Sequence, residues 1–460
     1  MSQPASHRRP DRADAFVAGA AVLAAAILLW LGRGLTFFAD EWSVISDRPL
    51  GIGTFLRPFN EHWLGITTLV HRLLVEVVGI SSYMPYLALL IGLHVVVVLE
   101  VYAIARRSTL PIVAAGIAVI VAFFGSGFEN LFWAMQIGFV GSMAMGFGAL
   151  LLLDRPDRRR NAISATALLT LGVMTSGYGL FMLAFVGLDL LADARRRRLA
   201  LLLVIPVATY GLWYVTLGRS GLATHGEPFT LANILGVPLF VVDGAAESLS
   251  SGLGVGRAGG VVALIGLGGW LAYLVASARA IPSRALACFG AILVEYAILA
   301  VVRAQFGTDA TYFSRYSYLS GMLALIGIAS LVGRPTVRRR SIRGVVLIAS
   351  MVVVGTLSMT WNVRLLVEGR QIFAERADLT RALVELGAST DLADGVDPNL
   401  SLVLVPSPVR LKSIIARYGL PLSDWMAGDA VPPISAAARA EAAERATHPP
   451  QWLLDQPWLP

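Results

Sequence analysis

A single lysine, a single cysteine and very little charge of either sign mark this chain: charged side chains make up 15% of its 460 residues. Soluble domains carry about a quarter, so water cannot be the solvent for most of this surface. The lone cysteine, Cys288, excludes a disulfide framework and any thiolate metal cluster; in its apolar segment it reads as a small core residue. Because Lys412 is the only lysine, the net charge of +7 rests on arginine. Those arginines stand in clusters between apolar stretches, which is the signature of membrane topology and not of a nucleic-acid surface. No internal repeat and no glycine-rich phosphate loop is present. What is abundant is hydrophobicity, 56% of residues, with a mean hydropathy of +0.69.

The apolar runs predict an all-α polytopic membrane protein of about eleven transmembrane helices. They fall at 14–33, 84–105, 110–125, 134–153, 161–175, 178–193, 199–217, 259–277, 285–304, 314–333 and 344–361. Arg8 and Arg9 precede the first run, which is long enough to span and reads as a retained helix, not a signal peptide. The runs 161–175 and 178–193 barely leave room for two crossings; were both re-entrant, the parity downstream would be unchanged. Arginines cluster at 8–12, 106–107, 155–160, 195–198, 279–284 and 334–343. The alternate connections carry only Arg48, Arg57, Arg72, Arg219 and Arg257. By the positive-inside rule the N-terminus is inside and the C-terminus outside. The apolar stretch 231–242 is expected to be an interfacial helix, since a further crossing would invert the last loops.

Two units follow: a transmembrane domain, 1–361, and an extracytoplasmic C-terminal region, 362–460, small α/β or partly disordered. In the second, a helix is expected to continue to about Gly387, then a strand at Leu402 to Val405 and a helix near Val409 to Tyr418. In the first outer loop, Trp63, Ile66, Leu69, Val70, Leu73, Leu74, Val77 and Val78 recur at helical spacing opposite a polar face. Such a helix lies flat in the membrane surface.

Chemistry-bearing residues gather in that same loop. Asp40 and Glu41 follow the first span directly, and Glu61-His62 opens the surface helix about twenty residues later. Charge at that depth costs free energy unless it has a partner or a purpose, although a helix-exit or capping role accounts equally well for the acid pair alone. Three carboxylates and an imidazole in one loop suit general-base work or a divalent cation. Spacing does not choose between them.

The acid pair after the first span, Asn60-Glu61-His62-Trp63, the histidine in the next span (His94) and Ser314-Arg315-Tyr316-Ser317-Tyr318 opening a late span together resemble the GT-C superfamily of membrane glycosyltransferases. Glu129-Asn130-Leu131-Phe132-Trp133-Ala134-Met135-Gln136 is similar to the second outer loop of bacterial members. The resemblance covers about 14–361 through short motifs. It implies transfer of a sugar from a polyprenyl-phosphate carrier to an acceptor hydroxyl on the outer face of the plasma membrane, with a first-loop acid as base. Carried over residue by residue, it makes Asp40 the base with Glu41 beside it. It also places Glu61, His62, Trp42, Glu129, Trp133, Gln136 and Tyr316 among substrate contacts. The implied partners are the lipid-linked donor, membrane lipid and a glycan, glycolipid or protein acceptor of the cell envelope, with no nucleic acid.

A lipid-phosphate leaving group requires cationic donors, and arginine suits bidentate phosphate contact. Arg303 and Arg315 flank a short outer connection and are the candidates; snorkelling or pairing with Asp309 is the competing account. Most boundary aromatics read as belt anchors. His94, Glu100 and Glu295 lie within spans, where a functional role and interhelical hydrogen bonding explain each equally well. The main alternative is a transporter or lipid flippase, which favours broken spans and internal repeats; here the richest polar clusters lie at the outer ends.

Overall fold

The computed structural model describes residues 11–60, 62–155, 159–224, 231–303, 307–334, 342–389, 408–421 and 433–447. Among them there is no strand, only an isolated antiparallel bridge between Phe59 and His62. The helices of the first half are α1 (Arg12–Leu31), α2 (Asp40–Asp47), α3 (Ile52–Leu56), α4 (Gly65–Val78), α5 (Met84–Ser108), α6 (Pro111–Ala122), α7 (Glu129–Phe132), α8 (Ile137–Leu153) and α9 (Arg159–Thr175). The second half adds α10 (Tyr178–Ala192), α11 (Val204–Thr216), α12 (Leu231–Leu253), α13 (Gly256–Ala276), α14 (Ser283–Arg303), α15 (Ser314–Val332), α16 (Ile342–Ser389), α17 (Pro408–Tyr418) and α18 (Ala436–Thr447). Glu61 and the strand expected at 402–405 lie outside the described residues.

Each expected span corresponds to a helix, and nine helices among the described residues are long and apolar enough to cross a membrane. Their starts follow from local chemistry. Asp11 caps α1 by accepting from the backbone N–H groups of Ala13 and Asp14, and Asp14 returns the bond to Asp11. Pro85 and Pro111 open α5 and α6, where a missing N–H costs nothing.

The stretch expected as an interfacial helix belongs to a longer one. It is the first half of α12, a 23-residue helix that packs along α13, α14 and α15. Small residues allow the approach: a Cβ on Gly244 would sit 2.1 Å from the Tyr296 ring. The second half of α12 buries Ala245, Ala246 and Leu249, whereas Leu231, Ile234, Leu235 and Leu239 of the first half are exposed.

The arginine clusters expected inside converge at one end of the bundle. Arg107, Arg196 and Arg284 all pair with Asp154, the last two at 2.8 and 2.9 Å. Arg196 and Arg284 also pair with the fully buried Asp189 of α10, at 2.8 and 2.7 Å. A carboxylate at such a position needs exactly this kind of compensation, because its desolvation is otherwise prohibitive.

At the other end, α16 is the organiser. Its 48 residues amount to about 72 Å at the helical rise, far more than a bilayer's apolar thickness. Arg370 and Arg381 on its projecting half donate to the carbonyls of Leu31, Arg33 and Gly34, satisfying the exit of α1. Helix α17 docks on the first loop: the Ile80 N–H donates to Tyr418 O at 2.8 Å. The contact requires glycine at 79, where φ is +67° and a Cβ would lie 2.5 Å from that carbonyl.

Candidate functional site

A cavity of about 300 Å³ opens at this second end. Five separate segments supply its polar lining: Asp40 from the start of α2, Asn60 and His62 from the first loop, Trp133 and Gln136 around the turn before α8, Tyr178 from α10, and Arg303, Arg315 and Tyr316 from the α14–α15 corner. Phe181, Tyr210, Tyr214, Ile298 and Leu299 form an apolar wall facing α11 and α14. Asp40 and Arg315 thus line one cavity, and their charges act on each other.

Asp40 owes its position to its neighbours. Ala39, at the cap of α2, has φ +46°, a conformation rare for a residue with a Cβ, and Asp40 and Glu41, consecutive in the helix, point about 100° apart. Glu41 points inward and does not line the cavity. Its Oε2 accepts from the Phe38 N–H at 2.8 Å and its Oε1 from the Tyr83 hydroxyl at 2.9 Å, with His71 Nε2 at 3.9 Å. Tyr83 in turn accepts from the Ala134 N–H at 2.7 Å, joining the Asp40 turn to the Trp133 turn. Burial, with the Glu41 charge, pushes the Tyr83 phenol well above its ordinary value, so it remains a donor. Trp42 is also turned inward; it is fully buried, donating its indole N–H to Phe37 O at 3.1 Å.

Glu129 lies beneath the cavity and holds Arg315. Its Oε2 accepts from Ser314 Oγ and from the Arg315 backbone N–H, each at 3.0 Å. A carboxylate there satisfies the exposed amides at the start of α15 and complements the helix dipole. The Arg315 guanidinium lies 3.9 Å from Glu129 Oε1 and packs over the Phe313 and Tyr316 rings. Asn130 and the Tyr178 hydroxyl donate to the Arg315 carbonyl at 3.1 and 2.6 Å. Arg303 Nε donates to the Tyr316 hydroxyl at 3.3 Å. The outcome is two guanidinium groups held on one wall with Asp40 on another.

The Trp133 indole N–H and Gln136 Oε1 are buried without a protein hydrogen-bond partner, and both residues line the cavity. Unsatisfied buried polar atoms are uncommon, and here they offer one donor and one acceptor to a ligand. Among the described residues no three carboxylate, imidazole or thiol groups converge as a metal-ligand set.

Several lining residues carried no chemistry in the sequence reading. Tyr178 belongs to a Ser-Gly-Tyr-Gly segment legible only as a turn, Tyr214 reads as a boundary aromatic, and nothing in the sequence singles out Tyr210. Outside the lining, Arg376, stacked on Phe38 and Phe373, acts electrostatically on Arg315 and Glu129; nothing in the sequence distinguishes it from the other arginines of the long helix α16. His94, by contrast, is engaged between helices, with Nδ1 2.5 Å from the Tyr318 hydroxyl and Nε2 3.2 Å from Ala122 O.

No protein-family model matches the sequence, and no curated protein does. Among solved structures the chain is similar to an oligosaccharyltransferase from Archaeoglobus fulgidus, crystallised in complex with zinc and sulfate. The TM-score is 0.42 at 14% identity, with 85% of this chain and 58% of that chain covered. The chain therefore spans less than two thirds of that protein's length, and so distant a likeness assigns no role to any residue.

Proposed function

We propose that this protein transfers a sugar from a polyprenyl-phosphate carrier to an acceptor hydroxyl on the outer face of the membrane. The observation that carries this reading is the shared cavity, in which a half-buried carboxylate, Asp40, faces Arg315 and Arg303. In the reaction Asp40 takes the proton of the acceptor hydroxyl as its oxygen bonds to the sugar's anomeric carbon. The bond from that carbon to the carrier phosphate breaks, and its electron pair leaves with the phosphate. Arginine at the departing phosphate stabilises the charge that develops there.

The remaining lining fits the same substrate. The apolar wall of Phe181, Tyr210, Tyr214, Ile298 and Leu299 suits an isoprenoid chain. Trp133 and Gln136 suit sugar hydroxyls, and aromatic faces suit sugar rings. Glu129 acts through Arg315, and Glu41 through the turn that carries Asp40, so both are positioning residues. His62 lines the acceptor side.

The test is sugar transfer by the full chain in lipid nanodiscs supplied with polyprenyl-phosphate sugars. Asp40→Asn is expected to lower turnover by about 100-fold or more, the scale of lost general-base catalysis, with donor binding retained. Unimpaired turnover in Asp40→Asn would overturn the assignment.

A further inference from the structure

A second cavity, of about 560 Å³, lies between α2, α4 and α17. Its charged lining is Arg72, Arg410, Arg417 and Asp47, and its hydroxyls include Ser46 and Tyr418. Two polar atoms of these residues are buried with no hydrogen-bond partner: Ser46 Oγ and Arg72 Nε. Their residues are 2% and 6% exposed.

The neighbouring contacts hold the arginines in place. Arg72 pairs with Glu76 and also donates to the Tyr418 hydroxyl and, at 2.9 Å, to Ile45 O. Arg417 shares Glu76 at 3.3 Å. Arg410 donates to Ser46 O. Arg72 and Arg417 thus share the single carboxylate of Glu76. A guanidinium has five donors, and Arg72 Nε is one that has no partner here.

We infer that this cavity is a subsite for a phosphate group. A phosphate presents enough oxygens to meet two or three arginines and a serine hydroxyl at once, and the geometry of an arginine fork matches it. Helix α2 connects the subsite to the first cavity. Its first residue, Asp40, lines one, and its last two, Ser46 and Asp47, line the other. Eight residues place the two about 11 Å apart along the helix. A phosphate bound there would hold a substrate, or a neighbouring lipid, at a set distance from the proposed base. That relationship rests on the reading of Asp40 given above, whereas phosphate binding is measured without sugar transfer, so the two can fail separately.

The experiment is calorimetric titration of inorganic phosphate into the full chain in nanodiscs of purely zwitterionic lipid. Saturable binding is expected, weakened about tenfold or more by Arg417→Ala and by Arg410→Ala, both exposed side chains. Thermal unfolding of each variant verifies that it is folded, and Ser46→Ala supplies a further variant with minimal change in shape. No binding to the wild type, or equal binding to folded Arg417→Ala and Arg410→Ala, overturns the inference. A second titration in discs containing phosphatidylglycerol identifies the source. Competition assigns the phosphate to a lipid headgroup; undiminished binding assigns it to a soluble or glycan-borne ester.

Discussion

The Tyr83 hydroxyl donates to Glu41 at 2.9 Å while accepting from the Ala134 N–H at 2.7 Å. One buried side chain therefore links the turn bearing Asp40 to the turn bearing Trp133 and Gln136. Tyr83→Phe removes both bonds and leaves a buried carboxylate and a buried amide short of a partner. The expected destabilisation is about 2–4 kcal/mol, with a loss of turnover larger than the loss of donor binding. An unchanged melting temperature in detergent would rule out this linkage.

Arg315→Ala should weaken donor binding by at least about tenfold, because a charge-assisted hydrogen bond contributes about 1.5–3 kcal/mol. Arg315→Lys should recover only part of that, since a single ammonium cannot reproduce a bidentate fork. Equilibrium binding of a fluorescent polyprenyl phosphate measures both, and wild-type affinity in Arg315→Ala would remove Arg315 from the phosphate.

Trp133→Phe keeps an aromatic ring but loses the indole N–H that has no protein partner. If that N–H serves a sugar hydroxyl, the variant should discriminate less between donors that differ at one hydroxyl, by about 1 kcal/mol or slightly more. Comparing turnover across a donor panel decides it; an unaltered preference order and spread counts against the contact.

The docking of α17 should depend on acidity. Arg72 beside Glu76, aided by Tyr418 and Arg417, holds this carboxyl below its ordinary value of 4.5. A depressed carboxyl stabilises the folded arrangement above that ordinary value, and the contribution is lost as pH falls through the lower, folded value. Hydrogen-exchange protection factors across 408–418, with the intrinsic pH dependence of amide exchange divided out, should therefore fall on acidification below about 4.5 and hold on raising the pH from neutrality. Glu76→Gln should abolish the dependence.

Ser413→Cys in a Cys288→Ala background tests the orientation. Ser413 is exposed on α17, at the end of the bundle opposite the Asp154 cluster. A membrane-impermeant maleimide should label it from outside in intact cells. Labelling that requires cell disruption would invert the topology.

The helices were largely legible from composition, because lipid admits few ways to satisfy a backbone and apolar run length reports them directly. The helix after the first span was equally legible as α4, which exposes Leu69, Leu73, Val77 and Val78 on one side and buries Thr67, Thr68, His71 and Arg72 on the other. Residue 242 was not a legible boundary: hydropathy falls at Asp243 and Glu247, yet α12 continues because Thr311 and Tyr312 donate to Asp243 and Ser317 to Glu247. A polar partner supplied by another helix leaves no trace in the local sequence.

Sequence alone determined that the chain is a bundle of apolar helices, that its arginines sort to the ends, and that acids and aromatics collect in the first loop. These follow from one-dimensional patterns, since solvation by lipid acts on each segment separately. Only tertiary structure decided that Asp40 and Glu41, adjacent in the chain, take different surroundings, and that Asp40, Trp133, Tyr178 and Arg315 share one cavity. Such convergence depends on side-chain packing between distant segments and on a strained turn at Ala39, and neither is written in the order of residues.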